Sequence, residues 1–157
     1  MEKMVPVIQT KDNEICFYES DDSALCFYDL LERKIITKIN NISVTGCSYD
    51  SLVMMTKDLL LATGENKLSI ININLHNIIR TIDVSGSSYI NCACMLNENM
   101  LLTGDCNKRI IQWKIEGDNL QLIFKKENAH ESVINTLSKI GNGLIISGSG
   151  DNFVKIW

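Results

Sequence analysis

His130, Ser147 and Asp151 are the residue types of a hydrolytic triad, in which a carboxylate orients an imidazole that takes the proton of a serine hydroxyl. Such chemistry requires a hydroxyl that a substrate can reach. Two glycine-rich stretches, Gly141-Asn142-Gly143 and Gly148-Ser149-Gly150, raise the question of a phosphate cradle. Neither is followed by a Lys-Ser or Lys-Thr pair and neither opens a helix, so both read as turns. The six cysteines, Cys16, Cys26, Cys47, Cys92, Cys94 and Cys106, contain no Cys-x-x-Cys spacing and fall mostly inside apolar strand patterns. They read as buried free thiols in a reducing compartment, with no metal and no cofactor expected. His76, in the connection Asn74-Leu75-His76-Asn77, is far in sequence from any second ligand and is expected to be an exposed turn residue.

The elements that must position these residues follow from a repeat. Superimposing Tyr28, Ile71, Trp113 and Trp157 gives steps of 43, 42 and 44 residues. Before each of them the chain alternates with period two (Leu25 and Phe27, Leu68 and Ile70, Ile110 and Gln112, Val154 and Ile156), the signature of a half-buried strand. Upstream lies a second strand that ends on a small hydroxylated residue and glycine, at Thr63-Gly64, Thr103-Gly104 and Ser147-Gly148, with Cys16 to Glu19 as the divergent first copy. Polar breaks at Asp12-Asn13-Glu14, Lys57-Asp58, Asn97-Glu98-Asn99 and Gly141-Asn142-Gly143 read as hairpin turns. They follow innermost strands expected at Met4 to Ile8, Tyr49 to Met55, Tyr89 to Leu96 and Val133 to Ile140. Outermost strands are expected at Lys34 to Ile39, Ile78 to Val84 and Leu120 to Lys125. The reading is all-β, one domain over 1–157, built of four-stranded antiparallel units at about 3–39, 46–84, 86–125 and 130–157, the last complete only to its third strand.

Composition narrows the function classes. With 45% hydrophobic and 22% charged residues and a single proline, the chain reads as structured throughout. The net charge of −4 and the scattered basic residues argue against direct nucleic-acid binding. No apolar run approaches the roughly 20 residues that span a bilayer, so no membrane association is expected, and a cytoplasmic or nuclear location is.

These residues resemble the WD-repeat β-propeller family. Its pattern of a histidine before the first strand, Ser-Gly after the second, Asp in the next turn and Trp ending the third is matched by His130, Ser147-Gly148, Asp151 and Trp157. The third repeat matches in part, with Thr103-Gly104, Asn107 and Trp113, while Gly86 stands where the histidine would be. In the first two, Tyr28-Asp29 and Ile71-Asn72 replace Trp-Asp. The resemblance implies a small or partial propeller and gives His130, Ser147, Asp151 and Trp157, with Thr103, Asn107 and Trp113, a structural role. They would form a hydrogen-bond chain to the indole in place of catalysis.

Propellers have 4–8 blades, so three blades and three strands of a fourth make an incomplete ring with an unprotected edge. The expected function is a non-catalytic protein-interaction scaffold in a multiprotein complex, completed by another chain or by self-association into a homodimer. Candidate binding residues lie in the loops that share one propeller face: Ser48, Tyr49, Ser88, Tyr89 and Ser132 at the entry to the innermost strands, and Asp21, Asp22, Glu65, Asp105, Lys108 and Arg109 in or beside the next turns. The alternatives are a phosphopeptide-reading substrate receptor, for which Arg109 is the one arginine near those loops, and a hydrolytic enzyme acting through the triad.

Overall fold

A computed structural model describes residues 6–19, 24–40, 42, 51–84, 86 and 89–157. Among the described residues fifteen strands form four antiparallel sheets in which each strand pairs with its neighbour in sequence. The first sheet, blade I, holds β1 (Val7–Lys11), β2 (Glu14–Glu19), β3 (Ala24–Asp29) and β4 (Lys34–Ile39). Blade II holds β5 (Leu52–Met54), β6 (Leu59–Thr63), β7 (Lys67–Asn72) and β8 (Asn77–Asp83). Blade III holds β9 (Ile90–Asn97), β10 (Met100–Asp105), β11 (Ile110–Glu116) and β12 (Asn119–Lys126). Blade IV holds β13 (Ile134–Lys139), β14 (Ile145–Ser149) and β15 (Val154–Ile156). The innermost strand of blade I runs past the expected Ile8 to Lys11, and the expected start at Met4 lies outside the described residues.

The middle strands of blades II and III are buried on both faces because each of these blades packs between two others. Leu60, Leu61, Ile70 and Ile71 are consecutive pairs with no exposed surface, and each such side chain contributes roughly 1.5–3 kcal/mol. This explains why β6 opens on a continuous apolar run rather than a strict alternation. One apolar cluster joins blades I and II, a second joins II and III, and a third joins III and IV.

The turns have local causes. Asp29 Oδ1 accepts from the backbone N–H groups of Leu31 and Glu32 at 2.8 and 2.9 Å, and Asn72 Oδ1 from those of Asn74 and Leu75 at 2.9 and 3.0 Å. The residues that follow, Arg33 and His76, take left-handed φ values of 51° and 49°. In all three complete blades the outermost strand then carries one extra residue at the same place. Tyr28 pairs with Ile35 and Phe27 with Thr37, Ile71 with Ile78 and Ile70 with Arg80, Trp113 with Leu122 and Gln112 with Phe124. Ile36, Ile79 and Ile123 are the bulged residues.

His76 is not the exposed turn residue expected from its neighbours. Its Nε2 lies 2.9 Å from Glu14 Oε2, its side chain is 19% exposed, and its ring stands 4.5 Å from that of Phe27. Glu14 also accepts from Thr10 Oγ1 at 2.8 Å, and Lys11 Nζ reaches the Ile73 carbonyl at 3.0 Å. These contacts clasp blade I to blade II at the end opposite the Ser-Gly turns.

Candidate functional site

Ser147 stands in the middle of β14, paired with Leu137 of β13 on one side and Lys155 of β15 on the other; the strand runs on through Gly148 to Ser149, past the exit expected at Ser147-Gly148. Trp157 Nε1 donates to Ser147 Oγ at 2.8 Å, and that oxygen lies 2.6 Å from His130 Nε2. His130 Nδ1 is 2.9 Å from Asp151 Oδ2. One proton arrangement satisfies every group: the serine hydroxyl donates to His130 Nε2, and Nδ1–H donates to the carboxylate. Asp151 further accepts from the backbone N–H of Glu131 at 2.8 Å and of Phe153 at 3.0 Å. Burial opposes ionisation of Asp151, yet these backbone donors and the His130 ring outweigh it and hold the carboxyl far below the usual range.

The three distances are those of a triad, but the imidazole and the hydroxyl are buried. His130 and Ser147 have no exposed surface, and the serine oxygen is already engaged by the indole. A substrate carbonyl has no path to the hydroxyl. The arrangement ties the β13 entry loop, the β14–β15 turn and the edge strand into one unit.

In blade III, Trp113 Nε1 donates to Thr103 Oγ1 at 2.9 Å. Asn107 does not extend this pair. Its side-chain amide donates to the Gly86 carbonyl, and its backbone N–H donates to Asp105 Oδ1 at 2.9 Å. Asp105 instead organises the turn: it accepts from the Arg109 N–H at 3.0 Å and from Arg109 Nε at 2.7 Å, with Arg109 Nη2 2.6 Å away. A Cβ placed on Gly86 would lie 3.4 Å from Arg109 Nη1, so the guanidinium occupies space beside the position where blade IV carries its histidine.

Asp105 and Arg109 therefore need correcting as binding residues. They are 1% and 6% exposed and neutralise each other, because a buried charge is retained only with a partner. Arg109 is thereby withdrawn from any phosphate on the surface. The other described candidates gather at one end of the blades. Tyr89 is half-buried and its carbonyl accepts from Cys106 N–H at 3.0 Å. Lys108 is half-exposed at φ 66°, and its carbonyl accepts from Ala129 N–H at 2.8 Å. Ser132 stands against Gly150, where an added Cβ would meet its Oγ at 3.0 Å. Glu65 is half-buried in the β6–β7 turn. Ser48, Tyr49, Ser88, Asp21 and Asp22 lie outside the described residues.

The unprotected edge expected from the sequence falls, among the described residues, on the outer side of blade IV. Phe153, Val154 and Ile156 are 65%, 68% and 64% exposed, and Trp157 is 38% exposed. β15 has no outer neighbour among the described residues.

The described thiols are free, and Cys16 and Cys92 are buried. Burial pushes all three of Cys16, Cys92 and Cys94 up, Cys92 to about 12 and Cys94 to about 11, so they behave as small apolar side chains. Among the described residues no group of His, Cys, Asp and Glu is arranged to hold a metal ion, and no helix is long and apolar enough to cross a membrane.

Four radially stacked antiparallel sheets, each a meander with its neighbour's face as cover, define part of a β-propeller. Comparison with solved structures gives the kind. The chain matches the WD40 beta propeller domain of Doa1 with a TM-score of 0.73 at 18% identity, covering 98% of this chain and 49% of that one. It matches a chain of the Mitotic Checkpoint Complex with a TM-score of 0.76 at 12% identity, covering 92% of this chain and 45% of that one. No family model and no curated protein matches the sequence. The fold is that of the WD40 propeller, and the chain spans about half the length of the propeller chains it matches.

Proposed function

We propose that this chain is a non-catalytic protein-interaction scaffold that works inside a multiprotein assembly and is completed by further polypeptide. The observation that carries this reading is the blade IV edge: an internally satisfied hydrogen-bond chain holds β15 rigid, while its outer side and Trp157 remain uncovered. A rigid strand with free backbone groups and exposed apolar side chains is a template for strand addition. The chain of the Mitotic Checkpoint Complex that this one resembles is itself part of an assembly, which fits the reading. The buried hydroxyl and imidazole support a structural role in place of hydrolysis, and the buried free thiols suit the cytoplasm or nucleus.

Light scattering across a concentration series tests it. A two-chain mass or a stoichiometric complex with a second protein is expected. A monodisperse single chain with β15 amides already protected from exchange would sink the reading.

A further inference from the structure

Beside the Glu14–His76 clasp lies a groove of about 310 Å³, lined by Lys11, Asp12, Asn13, Glu14, Asp29 and Ile36. Glu14 and Asp29 share the face of blade I that carries Cys16 and Phe27 into the cluster with blade II, so the opening does not follow from where the sequence starts or stops. They also stand directly opposite each other in the β2–β3 ladder, and like charges so placed weaken a strand pair. The corresponding pairs are Leu59 with Asn72 in blade II and Met100 with Lys114 in blade III. In blade II the place is filled, because Leu59 and the bulged Ile79 pack against the core. In blade III it is cationic, and Lys114 is neutralised by Glu116 at 2.7 Å. Of the three complete blades, blade I alone sets two carboxylates there.

Glu14 is offset from within the chain, by His76 and by Lys11 Nζ at 3.5 Å, which the Ile73 carbonyl also holds. Asp12 and Asp29 are not. Asp29 commits one oxygen to the N–H groups of Leu31 and Glu32, Asp12 is exposed, and among the described residues no cation pairs with either carboxylate. Around these charges the turns present aliphatic side chains. Leu31 and Leu75 are 72% and 69% exposed, and Leu30 and Ile36 are exposed beside them. Each is fixed close to the groove: the Leu30 N–H donates to the Asn13 carbonyl at 2.8 Å, the Leu31 N–H to Asp29, and Leu75 precedes the His76 that meets Glu14. Turns already held in place lose little freedom when a partner arrives.

We propose that this groove docks a segment of another protein in which a lysine or arginine stands between aliphatic side chains. The cation enters against Asp12 and Asp29 with its methylene stem along Ile36, and the flanking aliphatic groups cover Leu31 and Leu75. Charge complementarity selects this occupant, since an acidic or phosphorylated segment would face two carboxylates without a cation. The inference rests on the scaffold reading above but not on the blade IV edge, so completion by further polypeptide can fail while docking stands.

The probe is a short synthetic peptide with an arginine between leucines, beside two controls, one with glutamate for the arginine and one with serines for the leucines. Amide chemical shifts of the isotope-labelled full chain locate it. The arginine peptide is expected to move the signals of Leu31, Ile36 and Leu75 and to leave that of Ile123, the bulged residue of blade III, in place. Both controls are expected to move none of them. Asp12→Lys changes an exposed side chain outside the clasp and is expected to weaken the arginine peptide about tenfold or more at low salt, with a smaller loss at high salt. Equal shifts from the arginine and glutamate peptides, unchanged affinity in Asp12→Lys, shifts centred on Ile123, or no shift with any peptide would each overturn the proposal. The chain mass from light scattering bears on completion alone and leaves this outcome untouched.

Discussion

Blades III and IV carry the same tryptophan at the same register, each donating its indole N–H to a hydroxyl within the preceding strand, yet Trp113 is 3% exposed and Trp157 38%. The difference is the outermost strand and the blade beyond it. Securing a turn and covering a blade are therefore separate tasks. Blade IV secures its turn with the chain from Trp157 to Asp151. Blade III, with Gly86 where that chain would start, secures the equivalent turn with the buried Asp105–Arg109 pair. Only blade III is also covered.

The widest separation between the two blades should come from removing the central group of each network. His130→Ala leaves the buried hydroxyl of Ser147 and the carboxylate of Asp151 short of a partner and opens a cavity, at a cost of about 3 kcal/mol. Thr103→Ala orphans only the Trp113 N–H, at about 1–2 kcal/mol. Urea unfolding of both variants checks the order. Equal losses would mean that the longer chain adds nothing to the simple indole–hydroxyl pair.

Glycine substitutions sharpen the comparison at the next level. A Cβ on Gly104 would lie 2.6 Å from Ile134 Cγ2 in the neighbouring blade and 2.8 Å from Cys92 Sγ, both buried. On Gly148 it would meet only Thr136 Cγ2, at 2.8 Å, and Thr136 is exposed and can turn away. Gly104→Ala is expected to cost about 2 kcal/mol by overpacking and Gly148→Ala about half of that. A reversed order in the same unfolding assay would show that blade IV is covered in solution on the side where Gly148 lies.

The strand order was legible in the sequence because it rests on period-two alternation and on turn chemistry within a few residues, and the indole partners because they match the WD-repeat pattern; the Ser-Gly and Thr-Gly pairs of blades III and IV, read as strand exits, lie inside β10 and β14. The Glu14–His76 clasp was not. Its partners stand 62 positions apart in two polar turns, and either residue alone reads as a solvated tip. Asp105 and Arg109 misled for a related reason: charged residue types suggest the surface, and only the vacant space at Gly86 shows why this pair turns inward. A four-residue Asp-to-Arg spacing across a turn, in a repeat without its histidine, was the available signal. The open outer side of β15 among the described residues was legible in the sequence, but the bulges of the outermost strands were not, because only the pairing register reveals them.

Acid should separate the two blades most subtly. Asp151 is held below its ordinary range in the fold, so between its folded value and the unfolded value of about 3.9 the unfolded chain binds more protons. The stability it contributes is therefore fully present above about pH 4 and is lost as pH falls through that window toward the folded value. Asp151→Asn keeps an acceptor for the backbone donors and removes the titration. Its urea midpoint is expected to be lower than that of the unsubstituted chain at pH 7 and to converge with it as the pH approaches 2. Thr103→Ala, whose pair does not titrate, should keep a constant gap from the unsubstituted chain over the same range. If the gap for Asp151→Asn also stayed constant, the carboxylate would be acting by shape and not by charge, and the tie between the β13 entry loop and the β14–β15 turn would be no more electrostatic than the pair in blade III.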